Sequence, residues 1–391
     1  MVFVSGIVGT DNAGTVAGRT VGKADMAVQA EQVLGTIETG LGLLGSPTSQ
    51  LTYLKAFVTD WKPLNTYYSV GEEFLKSRAS PAGSTVMSGL AQEGLVLEIE
   101  GIAVEGVTVQ NFSWSGTKPL GPYTSSAVRA GDLLFVSGCS ALDAQGVVRG
   151  TGSIRTQTRI AMENLRSILA SAGFNEADVI KTFVTLYDPR QLNSFSKVYG
   201  SYFQERYPAT TVVGGQLPVP GLLVSIEAVA SKGRRIVNGT KSTNLELASQ
   251  SDSLPRPLWP YSHAARAGNL VYISGILSAT ANGRITNRGD IGAQTSQCLA
   301  QLDSTLELLG LSSDDIVKTT VYITDWREYQ GYNEVYGDYF EPPYYPARST
   351  VQMGLPLAGA LIQMDAIAVD GASSSATILD SDRTFWKGKR T

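Results

Sequence analysis

Four landmarks recur three times, in the same order, along the 391 residues of the chain. A repeat of this kind fixes the architecture before any single element is assigned, because every copy must build the same unit. The first landmark is an apolar run ending in Ser-Gly, at Ser5-Gly6, Ser137-Gly138 and Ser274-Gly275, which reads as a buried strand closed by a turn. The second is a stretch opening near Gln29, Gln157 and Gln294. Its apolar residues fall at i, i+3/i+4 and i+7 and it ends in glycine, as an amphipathic helix with a C-terminal cap does.

The third landmark is a β-branched strand ending at Asp60, Asp188 and Asp325, followed by a second helix carrying Tyr67, Tyr199 and Tyr336. The fourth is a Pro-Ala turn leading into paired strands that end in an acid. Its prolines, Pro81, Pro208 and Pro346, are 127 and 138 residues apart, and so are the acids Glu100, Glu227 and Asp365. Each copy therefore reads strand, strand, helix, strand, helix, strand, strand, an α+β layer with helices on one sheet face. Copy one begins at the second of these strands. The expected domains are residues 1–118, 119–237 and 256–371, followed by a tail at 372–391. The linkers around 105–119 and 233–256 are rich in small polar residues, and the first has room for a short strand in VTVQNF. The tail's one apolar stretch, Ala376 to Leu379, is expected either to cover the sheet edge left open in copy one or to stay disordered with the rest of the tail.

Composition excludes several classes. With 43% hydrophobic residues, 17% charged and a net charge of −4, the chain is globular and offers no basic surface for a nucleic acid. Two cysteines, Cys139 and Cys298, build neither a disulfide framework nor a CxxC zinc site. The single histidine, His263, excludes a multi-histidine metal centre and leaves one imidazole as a candidate acid or base. No dinucleotide, P-loop or calcium-loop pattern occurs, so neither a metal nor another cofactor is expected. The start of the chain lacks a secretory pattern and no apolar run reaches the ~18 residues of a membrane span. The expectation is a cytoplasmic protein without membrane partners.

The order PYS…AVRAG…SG…Q…VKTxVxxxD…NxxY…YPARS…(I/V)xIEAIAV resembles the RidA/YjgF family over nearly the whole chain. The resemblance implies three tandem chorismate-mutase-like modules forming an intramolecular pseudo-trimer, with a central β-barrel, outer helices and ligand clefts between modules. It further implies an imine or enamine deaminase acting on a small molecule. In that family the arginine of the Pro-Ala-Arg-Ser turn grips a substrate carboxylate, a task for which a guanidinium fork is suited. A glutamate in the last strand works with water.

The arginine is kept only as Arg348, where copies one and two have Gly83 and Thr210; the helix asparagine is kept only as Asn333, against Tyr68 and Ser196. The glutamate is Glu98 in copy one but Ser225 and Gln363 in the others. One direction of assembly brings Arg348, Asn333 and Thr350 to Glu98, Ser5 and Gly6, giving a single complete cleft. The opposite direction brings Arg348 to Ser225 and leaves no acid–base group. Backbone amides near Gly6 would hold developing charge. Tyr123 and Tyr261, from the opening PY motif, are further ligand-binding candidates with no counterpart in copy one. Two other readings stay open: a redirected enzyme that hydrolyses, isomerises or cyclises a specialised metabolite, and a non-catalytic ligand-binding protein.

Overall fold

The computed structural model describes residues 1–11, 13–19, 24–78, 80–120, 125–203, 207–232, 254, 257–280, 282–340 and 345–377. Three sheets correspond to the three copies, called modules 1 to 3 below. In module 1 the strands β1 (Val2–Val8), β2 (Leu51–Val58), β3 (Ala82–Met87) and β4 (Leu97–Ala103) lie in the order β1-β4-β2-β3. The linker strand β5 (Val109–Phe112) joins the second sheet with β6 (Ala127–Ala130), β7 (Leu133–Ser140), β8 (Val179–Leu186), β9 (Ala209–Gly214) and β10 (Val224–Ser231), ordered β5-β6-β7-β10-β8-β9. The third sheet holds β11 (Ala264–Ala267), β12 (Leu270–Ile273), β13 (Ile276–Leu277), β14 (Ile316–Ile323), β15 (Ala347–Gln352) and β16 (Ile362–Val369), with β13 extending the β12 edge along β16.

The ladders between these strands are antiparallel except β2/β3, β8/β9 and β14/β15, which need a crossover. The helices α2 (Leu64–Leu75), α4 (Leu192–Tyr199) and α6 (Tyr329–Tyr339) supply it. The longer helices α1 (Met26–Leu43), α3 (Ile154–Ser171) and α5 (Ile291–Glu307) start at the side-chain caps Asp25, Ser153 and Asp290, which satisfy otherwise orphaned amides. Past the end of α3, Gly173 takes a left-handed φ of 80°, a conformation glycine adopts without steric cost.

Each long helix lays its apolar stripe on one face of its sheet, as Cys298, Leu302 and Leu306 do against Val321, Met364 and Ala366. The opposite sheet faces meet one another: Phe57 and Val86, Phe183 and Val213, and Tyr322 and Val351 belong to one cluster drawn from all three modules. The glutamine near the start of each long helix is buried and binds backbone rather than ligand. Gln29 donates to the Gly94 carbonyl at 2.7 Å and accepts from the Val96 amide at 2.9 Å. Gln157 and Gln294 repeat the arrangement with Gly221 and Leu223, and with Gly359 and Leu361, so each ties its helix to the loop entering the last strand.

The Ser-Gly landmark is not a turn. The first-sheet register passes from Val4↔Gly101 to Ile7↔Ile99, and the second from Ala228↔Val136 to Ile226↔Cys139. Module 3 does the same between Tyr272↔Ile367 and Ile276↔Met364. One extra residue is accommodated each time, a β-bulge that bends the strand and re-aims its side chains.

The tail begins with the short helix α7 (Ala372–Ser375). Ala376 and Thr377 lie outside any strand, and Ile378 and Leu379, the rest of the segment expected on the module 1 edge, lie outside the described residues. Among the described residues no helix is long and apolar enough to cross a membrane.

Candidate active site at the junction of modules 3 and 1

The bulges are where the modules meet. In each, the serine hydroxyl accepts the backbone N–H of the residue after Pro-Ala in the preceding module: Gly83 to Ser137 at 3.0 Å, Thr210 to Ser274 at 2.7 Å, and Arg348 to Ser5 at 3.3 Å. Module 1 thus meets 2, 2 meets 3, and 3 returns to 1.

A second set of cross-links follows the same direction. Lys181 pairs with Asp365 at 3.2 Å and Lys318 with Glu100 at 2.9 Å. Strand register puts Tyr53 at the place of these lysines, since Tyr53, Lys181 and Lys318 face Ala82, Ala209 and Ala347. Tyr53 hydrogen-bonds Glu227, and Lys55, two residues along, restores the missing charge at 3.0 Å from the same carboxylate. A buried carboxylate is costly unless paired, which explains why the acids keep phase with the repeat. These groups line a central cavity of about 80 Å³ to which all three modules contribute.

The direction of contact brings Arg348 to the module that carries Glu98. Arg348 projects from β15, its Nη1 donating to Asn333 Oδ1 at 2.8 Å and to Tyr332 Oη at 3.3 Å. Its guanidinium lies 4.8 Å from the Tyr336 ring centroid and 5.9 Å from that of Tyr332. The tyrosines are themselves fixed: Tyr332 Oη contacts Thr350 Oγ1 at 3.2 Å and Tyr336 Oη contacts Thr319 Oγ1 at 2.7 Å. A cation over two locked aromatic faces is held in one plane. Asn333 and Thr350, expected to bind ligand, are thus engaged in orienting Arg348, Thr350 through Tyr332.

Glu98 stands on β4 between Val8 and Phe57, with 4% of its surface exposed. Burial, then the neighbouring Glu100 carboxylate, push its carboxyl up to about 8, with Lys318 and Arg348 pulling the other way. A carboxylic acid so placed carries its proton at neutral pH. Its position depends on Gly6, where an added Cβ would come within 1.9 Å of Glu98 Oε1. The same closeness recurs between Gly138 and Ser225 and between Gly275 and Gln363, so the bulge glycine makes room for whatever side chain the last strand presents. Gly6→Ala is therefore expected to displace the carboxyl and lower kcat roughly 10- to 100-fold, while Gly138→Ala leaves turnover unchanged. Steady-state kinetics on the two variants, with circular dichroism to establish folding, checks this.

The other junctions differ. At modules 1 and 2, Tyr68 donates to the Leu120 carbonyl at 3.0 Å and Leu120 approaches Gly138. A side chain at Gly83 would meet the Leu54 carbonyl oxygen at 2.0 Å, so this junction has no room for an arginine without backbone movement. At modules 2 and 3, the Thr210 hydroxyl joins Thr182 and Tyr199 at 3.0 and 3.1 Å. Tyr261 and His263 belong here: Ser262, between them, donates its N–H to the Pro208 carbonyl at 3.1 Å. Their rings stand edge to face at 5.6 Å. The structure thus groups Ser5, Gly6, Glu98, Asn333, Arg348 and Thr350 at one junction and seats His263 and Tyr261 at another; Tyr123 lies outside the described residues. Cys139 and Cys298 are buried thiols pushed up to about 12 by that burial, which leaves them poor nucleophiles. Among the described residues, no group of three or more His, Cys, Asp or Glu is arranged to hold a metal.

Sequence reasoning missed Tyr332, Lys318 and Ser349 as parts of this site. The i, i+4 spacing of Tyr332 and Tyr336 beside Asn333 was a readable signal, since it sets both rings on one helix face.

Repeated modules, cross-linked at bulges and bearing one arginine–glutamate junction, define the class. The chain belongs to the family described as endoribonuclease L-PSP, whose profile it matches three times, over residues 1–105, 115–232 and 252–370, and which is the RidA/YjgF family of the sequence motifs. The 3-aminoacrylate deaminase RutC of Acinetobacter baylyi is 38% identical over 117 residues, 30% of this chain and 92% of the relative. A RutC family protein of Sulfurisphaera tokodaii is 38% identical over 123 residues, 31% of this chain and 97% of the relative. Among solved structures, a chorismatase covers 82% of this chain and 93% of its own at a TM-score of 0.54 and 15% identity, a likeness of fold alone.

Proposed function

We propose that the three modules act as a pseudo-trimer with one competent cleft, and that this cleft hydrolyses a small imine or enamine bearing a carboxylate. The observation that carries the reading is that Arg348 and Glu98 belong to the same junction, with Arg348 among the charges acting on the Glu98 carboxyl. At the other junctions the equivalent pairs are Gly83 with Ser225 and Thr210 with Gln363. Family membership and the deaminase activity named for the RutC relative support the reaction class.

The chemistry follows from the two groups. Arg348 takes the substrate carboxylate, its plane preset by Asn333 and the tyrosines, so little ordering is left to binding. Protonated Glu98 donates to the imine nitrogen, or to the enamine carbon to reach the iminium, which makes the carbon electrophilic. The resulting carboxylate takes a proton from water as the water oxygen bonds to that carbon. Glu98, protonated again, then gives its proton to the amine nitrogen and takes the hydroxyl proton as the C–N bond breaks, releasing ammonia and leaving a carbonyl. Because the protonated carboxyl is the starting form, kcat/KM should fall as pH rises through about 8.

The test is ammonia release from an imine generated in situ by an amino-acid oxidase. The wild-type chain is expected to accelerate it above the spontaneous rate; no acceleration with any carboxylate-bearing imine rejects the proposal. A redirected reaction on the same scaffold is the second reading, favoured by the placing of Tyr261 at a junction other than that of Arg348. Turnover of a carboxylate-bearing metabolite without ammonia release would select it.

A further inference from the structure

The mechanism above leaves one group of buried charges unused. Glu98 and Glu100 flank Ile99 on the same face of β4. Glu100 Oε2 lies 2.9 Å from Lys318 Nζ, accepts from Ser349 Oγ at 2.5 Å, and has Thr320 Oγ1 at 3.4 Å. Lys318 Nζ also donates to Ser349 Oγ at 3.2 Å and to the Val4 carbonyl at 3.3 Å. One ammonium therefore braces the strand carrying Glu98, the residue beside Arg348 and the residue beside Ser5. We propose that Lys318 and Glu100 are positioning residues that set how tightly Glu98 holds its proton, through a charge pair that spans the module 3–module 1 junction. This rests on the reading that Glu98 is the proton-transferring group.

The neighbouring junction shows what the same hub does without an acid beside it. Lys181 Nζ donates to Thr211 Oγ1 at 2.8 Å and to the Ile273 carbonyl at 2.8 Å, 3.2 Å from Asp365 Oδ2, which accepts from Thr211 at 2.5 Å. There the residue matching Glu98 is Gln363, which does not titrate. A purely structural hub explains that junction completely. At modules 3 and 1 the matching residue is the carboxyl of Glu98, two residues from Glu100 on one strand face, and Glu100 and Lys318 are among the charges that act on it.

The groups facing Glu98 can be named. Glu100 comes from its own strand, Lys318 from β14 and Arg348 from β15, with Tyr332 and Tyr336 of α6 behind the arginine. The facing residues of β1 and β2, Gly6, Val8 and Phe57, bear no charge. Burial alone would raise Glu100, but the Lys318 ammonium and the Ser349 hydroxyl outweigh it and hold Glu100 below the usual carboxylate range. Glu100 stays a fixed negative charge that opposes ionisation of Glu98, while Lys318 favours it.

The two substitutions must therefore act in opposite directions. Glu100→Gln removes the opposing charge, leaves Lys318 in place and should lower the Glu98 midpoint by about one pH unit or more. Lys318→Met should raise it by a similar amount, and Lys318→Arg should restore it. The midpoint is read by carbon-13 NMR of carboxyl-labelled glutamate, the Glu98 signal being the one absent from Glu98→Gln. Lys181→Met is the control for structural damage and should leave the midpoint in place. Shifts of Glu100→Gln and Lys318→Met in the same direction, no shift, or an equal shift from Lys181→Met would overturn the proposal. Glu100→Gln keeps the side chain's shape and carries the test alone if Lys318→Met does not fold. The titration reads no turnover, so absence of ammonia release rejects the reaction without touching this result.

Discussion

Arg348→Ala is expected to lower kcat/KM for a carboxylate-bearing imine on the order of a thousandfold, about 4 kcal/mol of transition-state binding. The size follows from loss of a charged, two-point contact, each bond of which is worth about 1.5–3 kcal/mol. Arg348→Lys keeps the charge but not the fork and should recover only part of the loss. Neither change should open the junction, because the contact to Ser5 is made by the backbone N–H of residue 348. Kinetics on both variants, beside their melting temperatures, separates clamp from scaffold: a comparable fall in stability and activity would mean that Arg348 is structural.

Glu98→Gln is expected to cost a similar factor in rate, within the ~10²–10⁴ range of general acid–base catalysis, yet to make the protein more stable at alkaline pH. The folded chain raises this carboxyl to about 8, against roughly 4.3 for an unperturbed glutamate. A raised folded-state value means that the native state binds the proton more tightly. The stabilisation is complete below the unfolded value and is lost as pH rises through the folded one. Above about pH 8 the wild-type protein holds a buried carboxylate near Glu100, a penalty of several kcal/mol in order of magnitude. Glutamine never ionises and escapes it. The variant should therefore melt several degrees higher at pH 9 and at the same temperature near pH 4. Equal melting temperatures at pH 9 would show that Glu98 is not destabilised by burial.

Much of this was legible in the chain itself because three copies constrain each other. The 127- and 138-residue offsets of the Pro-Ala turns and acids fixed the repeat, and the unequal distribution of Arg348, Glu98, Ser225 and Gln363 separated three junctions that a homotrimer would keep alike. What the sequence did not carry was direction. Nothing in the order of residues says whether Arg348 faces module 1 or module 2, because that depends on which sheet edge the bulged strand bends toward. The bulge is not legible in the residues either: Ser-Gly after an apolar run has the composition of a turn, and only the ladder register distinguishes the two. Glu100 served as a marker of phase, but its role lies across a module boundary with Lys318, a contact separated by more than half the chain. The Tyr53 and Lys55 exchange is legible only once register aligns the strands.

Calorimetric titration of the wild-type chain with a 2-oxo acid, the product of deaminating a 2-imino acid, tests the single-cleft account most directly. One molecule should bind per chain, and Arg348→Ala should abolish it. Three molecules per chain, or binding that survives in Arg348→Ala, would contradict it.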